Sequence, residues 1–194
     1  MRSLILSLYS IVRLPGVVLH ELSHLLVVIL TPGINVESVN LTSEIEHSGY
    51  YTGFRMFLIS YAPLFANSVL AYVLVVYSPF ITVSEPTSVV VSVFSTLLAF
   101  SLLLGMIPSY IDAVNPVKMA YMNLKSNPVS IVPLYMPFIL LASLPFVTIT
   151  YVLKKLPSFA VIFEVIMAVF ILLLFTGHVE VNSLIELTNR LGVF

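Results

Sequence analysis

Four stretches of the chain are apolar over the length of a membrane crossing. Met56–Tyr77, Val89–Ile107 and Ile131–Leu153 contain no charged residue, and Ser158–Thr176 contains one, Glu164. A hydrocarbon core of about 30 Å takes roughly 20 such residues in a helix. The N-terminal stretch Leu4–Leu30 is also mostly apolar, but it exceeds one crossing and is interrupted by Arg13, Pro15 and Gly16. Proline suits the first turn of a helix and not its interior. The pattern therefore predicts a lead-in to about Val12 and a spanning helix over Leu14–Leu30, closed by Thr31-Pro32-Gly33. Arg2 before an apolar run has the look of a signal peptide. No small-residue cleavage site follows, so the segment is expected to be retained.

The connections differ. Gly33–Phe54 is polar and partly alternating (Ile34, Val36, then Val39, Leu41), which predicts a β-hairpin. Ser78–Ser88 reads as a plain loop. Within Pro108–Pro128, Asn115-Pro116 predicts the start of a short helix to about Leu124. Ser183-Leu-Ile-Glu186 reads as a capping box opening a short interfacial helix. The predicted fold is an all-α polytopic membrane protein, with about five spans and a small β-hairpin between the first two. Residues 1–125 form a core of three spans plus hairpin, and 126–194 add two spans and the interfacial helix.

Composition agrees. The 194 residues are 59% hydrophobic and 9% charged, against about half and a quarter in an ordinary soluble domain. A soluble enzyme, a disordered chain and a coiled coil are excluded. Eight Lys+Arg against nine Asp+Glu leave no basic face for nucleic acid. The absence of Cys removes disulfides and thiolate metal sites. Four basic residues fall on each side of the five spans, so charge does not orient the chain.

Ionisable residues inside a span are costly and mark function by default. The first span holds three of them in His20-Glu21-Leu-Ser-His24. Residues four apart share a helical face, so both imidazoles reach one ion, while Glu21 lies beside it. This is the HExxH arrangement: two His hold zinc, and the Glu takes a proton from the zinc-bound water. Chance gives the pattern in about 0.3% of chains of this composition. The plain alternative is a buried polar cluster satisfied by neighbouring helices. A third protein ligand is needed, and the candidates are Asp112, Glu164, His47 and His178. Asp112 is the only Asp in the chain and follows a span broken at Pro108, whereas Glu164 lies within a span. His47 and His178 read as interfacial residues.

These residues meet a family pattern. The chain resembles the site-2 protease family of intramembrane zinc metalloproteases, in its small form without PDZ or CBS domains. His20-Glu21-Leu-Ser-His24 is followed by a polar hairpin segment. Tyr61-Ala-Pro63-Leu-Phe-Ala-Asn67 is similar to the family's glycine-proline-x-x-asparagine stretch. Pro108-Ser-Tyr-Ile-Asp112-Ala is similar to its proline-containing leucine-aspartate-glycine motif. The resemblance covers residues 14–125 and departs from the pattern at Ala62 and Ala113, where the family has glycine. It implies Zn²⁺ held by His20, His24 and Asp112, with Glu21 as general base and Asn67 on the substrate. It also implies a membrane-protein substrate with a transmembrane segment, and a chain in the cell membrane with its site towards the cytoplasm. From the residues themselves, Pro63 is expected to distort its span and open a water path, and Gly33–Phe54 to capture substrate by β-addition. The rival readings are a metal transporter or sensor, and a catalytically silent relative that acts as a binding partner.

Overall fold

The computed structural model describes residues 2–42, 44–77, 86–126 and 132–177. His178 and the Ser183–Glu186 capping box lie outside the described residues, as does most of the loop predicted over Ser78–Ser88. The described chain is mostly helical: α1 (Arg2–Leu30), α2 (Gly53–Val76), α3 (Pro86–Leu104), α4 (Tyr110–Ser126), α5 (Val132–Lys155) and α6 (Pro157–Phe175). A hairpin of β1 (Ile34–Asn40) and β2 (Glu44–Gly49) joins α1 to α2.

Among the described residues, four helices are long and apolar enough to cross a membrane: α1, α2, α5 and α6. The expected fifth, in α3, has a shorter described apolar stretch, Val89–Leu104. The chain leaves the helix at Gly105, ahead of Pro108, so the predicted extension to Ile107 does not form. α3 packs on α1, α2 and α6. Its buried Ala99, Leu102, Leu103 and Leu104 join Ala71 and Val75 of α2 and Ala168 of α6 in one apolar cluster.

Two further helix boundaries differ from the sequence expectation. α1 runs through Pro15 without a break. Pro15 is exposed, and the neighbouring Gly16 N–H donates to the Ser101 hydroxyl at 3.1 Å, so α3 supplies a partner where the proline disturbs the helix. α4 starts at Tyr110 rather than Pro116, because Ser109 caps it: the Ser109 carbonyl accepts from Ala113 N–H at 3.0 Å.

α1 and α3 touch backbone to backbone. A Cβ on Gly16 would lie 2.0 Å from the Ser101 carbonyl oxygen, and one on Gly105 would lie 2.3 Å from the Gly16 carbonyl carbon. Small residues allow this approach, and it sets the α3 terminus beside the middle of α1. Gly33 (φ +79°) turns the chain after α1, as the Thr31-Pro32-Gly33 stop predicts. The hairpin then runs back against α1, with Ile34 and Ile45 buried. A bulge at Glu37 interrupts the register between the Val36–His47 and Ser38–Glu46 pairs.

Candidate metal centre

His20 and His24 lie one turn apart on α1 and are 8% and 7% exposed. Each ring is fixed from behind by a main-chain carbonyl. His20 Nδ1 is 2.8 Å from the Gly105 oxygen, and His24 Nδ1 is 2.8 Å from the Ile59 oxygen. A carbonyl only accepts, so each Nδ1 carries the proton and each Nε2 presents a lone pair. The two Nε2 atoms face each other at 3.1 Å.

Asp112 completes the group from α4, its Oδ2 lying 3.8 Å from both Nε2 atoms. The Ser109 N–H donates to Asp112 Oδ2 at 3.0 Å, and the Asp112 N–H donates to Ser109 Oγ at 3.1 Å. This reciprocal capping box holds the carboxylate in the first turn of α4, where the helix dipole favours a negative charge. The Ser109 N–H bond favours the charged form of the carboxylate. Two imidazole nitrogens and a carboxylate oxygen thus converge. Ligands around a tetrahedral ion with bonds of about 2.0–2.1 Å sit about 3.3 Å apart. Separations of 3.1, 3.8 and 3.8 Å fit such a cation with little adjustment.

Two cavities meet at this group. One of about 300 Å³ is lined by all three residues, with Ile45 and His47 of the hairpin in its wall. The other, of about 540 Å³, extends towards Arg13, Lys154 and Glu164, and the hairpin tip reaches it through Thr42. His20 and Glu21 line both. Glu21 is 8% exposed and borders the donor group without belonging to it.

The remaining candidates part from the group. Glu164 accepts from the Tyr9 hydroxyl and lies 3.4 Å from Arg13 Nε, so its carboxylate is committed to α1 well away from the imidazoles. His47 borders the smaller cavity with its Nδ1 2.5 Å from the Tyr51 hydroxyl. Asn67 is fully buried and lines neither cavity. Its amide donates to the carbonyls of Gly16 at 3.1 Å and Leu102 at 3.0 Å, which ties α2 to α1 and α3. Those contacts make Asn67 a cross-link of three helices. Pro63 is likewise buried against neighbouring helices rather than beside either cavity. Sequence reasoning passed over Ser109, although the Ser109-Tyr-Ile-Asp112 spacing is itself a capping-box signal.

No protein-family model, curated protein or solved structure matches this chain. Its chemistry is therefore read from the side chains themselves.

Proposed function

We propose that the chain is a zinc metalloprotease of the site-2 protease kind, embedded in a membrane. It hydrolyses peptide bonds in or near the transmembrane segment of membrane-protein substrates. The observation that carries this reading is the convergence of His20 and His24, on a helix apolar enough to cross a bilayer, with Asp112 of α4, beside Glu21. An imidazole, imidazole, carboxylate set suits zinc, and three protein ligands are the number that catalytic zinc sites use. Bound there, Zn²⁺ would supply a Lewis acid and lower the pKa of water at the open position.

The chain's own residues do the rest. His20 and His24 present preset lone pairs, because Gly105 and Ile59 hold their Nδ1 protons. Glu21, at the junction of the cavities, takes the proton of the attacking water and passes it to the leaving amine. The cavity beyond Glu21, with Arg13 and Lys154 in its wall, offers water a route to the site. The hairpin borders the donor group and offers main-chain groups to an unwound substrate, whose helix must open before its peptide bonds can be attacked. A transporter is less well supported: among the described residues there is one metal-competent cluster, and transport needs a series of sites.

The deciding experiment measures zinc per chain in detergent-purified wild type, His20→Ala and Asp112→Ala, together with cleavage by Glu21→Gln. About one zinc in the wild type and little in the two ligand variants is expected. Glu21→Gln should keep its zinc and lose on the order of 10²–10⁴ in turnover. No zinc in the wild type after loading, or full turnover by Glu21→Gln, overturns the proposal.

A further inference from the structure

Both carbonyls that hold the imidazoles share one chemical feature: a proline stands among the residues placed to bond each of them along its own chain. In α2, the Ile59 carbonyl would accept from the N–H four residues on, but that residue is Pro63. The pyrrolidine ring has no N–H to give, and it crowds the carbonyl four residues back, tilting it off the helix axis. Pro63 is fully buried, and the Ile59 carbonyl meets His24 Nδ1 at 2.8 Å. After α3, the Gly105 carbonyl would accept from the N–H three or four residues on. Three on is Pro108, and four on is Ser109, whose N–H is turned to Asp112 Oδ2. The Gly105 carbonyl instead meets His20 Nδ1 at 2.8 Å.

We infer that Pro63 and Pro108 are positioning residues of the metal centre, one for each imidazole. Each removes the local competitor for a carbonyl that fixes a histidine as the Nδ1–H tautomer, with Nε2 bare towards the ion. The inference deepens the metal-centre reading and rests on it for its purpose, though not for its geometry. It also explains why a buried proline lies four residues after Ile59, where a helix otherwise loses a hydrogen bond for nothing. Pro145 of α5 is the contrast: it is exposed, and the residue four before it, Leu141, is exposed too and touches no histidine.

The test reads the tautomers directly in metal-free protein. The chain has four histidines, so imidazole ¹⁵N shifts in micelles are assigned by substituting them one at a time. In the wild type both His20 and His24 should carry the proton on Nδ1. Pro63→Ala supplies an N–H to Ile59 and should shift His24 towards a tautomer mixture while leaving His20 unchanged. Pro108→Ala should do the reverse, and Pro145→Ala should move neither. Zinc affinity, by competition with a chelator, should fall about 10–100-fold in each of the first two variants and stay level in the third. Unchanged tautomers in both proline variants overturn the inference. So does a change of both imidazoles in either one, because that reports general loosening rather than a carbonyl dedicated to one ring. A wild type that binds no zinc overturns the metal centre instead, and the tautomer pattern still decides the prolines.

Discussion

Ser109 and Asp112 hold each other through two hydrogen bonds, of 3.0 and 3.1 Å, across the first turn of α4. The pair does two jobs: it starts the helix, and it points a carboxylate at two imidazoles on another element. Removing the hydroxyl should therefore be felt at the metal centre. Ser109→Ala is expected to cost about 1 kcal/mol of stability, the usual worth of a helix N-cap. It should also weaken zinc binding about tenfold, as loss of an outer-shell partner does. A chelator titration beside a thermal melt in detergent measures both, and unchanged zinc affinity would show that Asp112 is held without the cap.

Glu164 and Asp112 compete for one role in the sequence and have different partners in the structure. Glu164→Gln should leave zinc content at the wild-type level, since its carboxylate sits with Tyr9 and Arg13. It should lower stability by about 1–3 kcal/mol, because Arg13 loses its ionic acceptor. Zinc analysis and unfolding midpoints on the same preparation separate the two effects. Loss of zinc would return Glu164 to the ligand set.

Asn67 offers a similar contrast. Asn67→Ala strips donors from two buried carbonyls, those of Gly16 and Leu102, on two different helices. Stability should fall by about 2–4 kcal/mol, combining the lost hydrogen bonds with a cavity. The KM of whatever protein survives should stay unchanged. A raised KM at unaltered stability would instead mean that the amide reaches substrate.

At the α1–α3 crossing, Gly105→Ala puts a methyl group into the Gly16 backbone, 2.3 Å from its carbonyl carbon. The helices must separate, and the Gly105 carbonyl leaves His20 with them. Zinc affinity and the unfolding midpoint should fall together. Gly33→Ala, which has only the far end of the Arg55 side chain near its new methyl but a φ of +79°, should strain the turn while leaving zinc affinity close to wild type.

The hairpin is tested by proline. Val36 pairs with His47 in β1, next to the bulge. Val36→Pro removes a strand N–H and should lower cleavage by about tenfold or more with zinc content intact. Equal turnover would exclude strand capture at this hairpin.

Much of this protein is local and was readable as such. Apolar runs of about 20 residues with at most one internal charge have one low-energy form in hydrocarbon, so α2, α5 and α6 follow from composition. His20 and His24 share a face because four residues make about one helical turn, and Gly33 stops α1 because glycine accepts positive φ. Alternation placed the hairpin between α1 and α2. What needed the folded molecule was every choice between chemically equivalent groups. Spacing and composition leave carboxylates at 112 and 164 both open, and only the family resemblance favours 112; in the structure the first lies with Ser109 and the two imidazoles, and the second with Arg13 and Tyr9. Pro15 reads as a break and is carried within α1 because α3 supplies a hydroxyl to the next N–H. Asn67 reads as a substrate contact by resemblance, and only the fold shows that its Nδ2 also joins α2 to α1 and α3. Periodicity and propensity act within one element, whereas a hydrogen bond between elements depends on which backbones come close. Here the contact of Gly16 with Gly105, invisible in either segment alone, sets that approach.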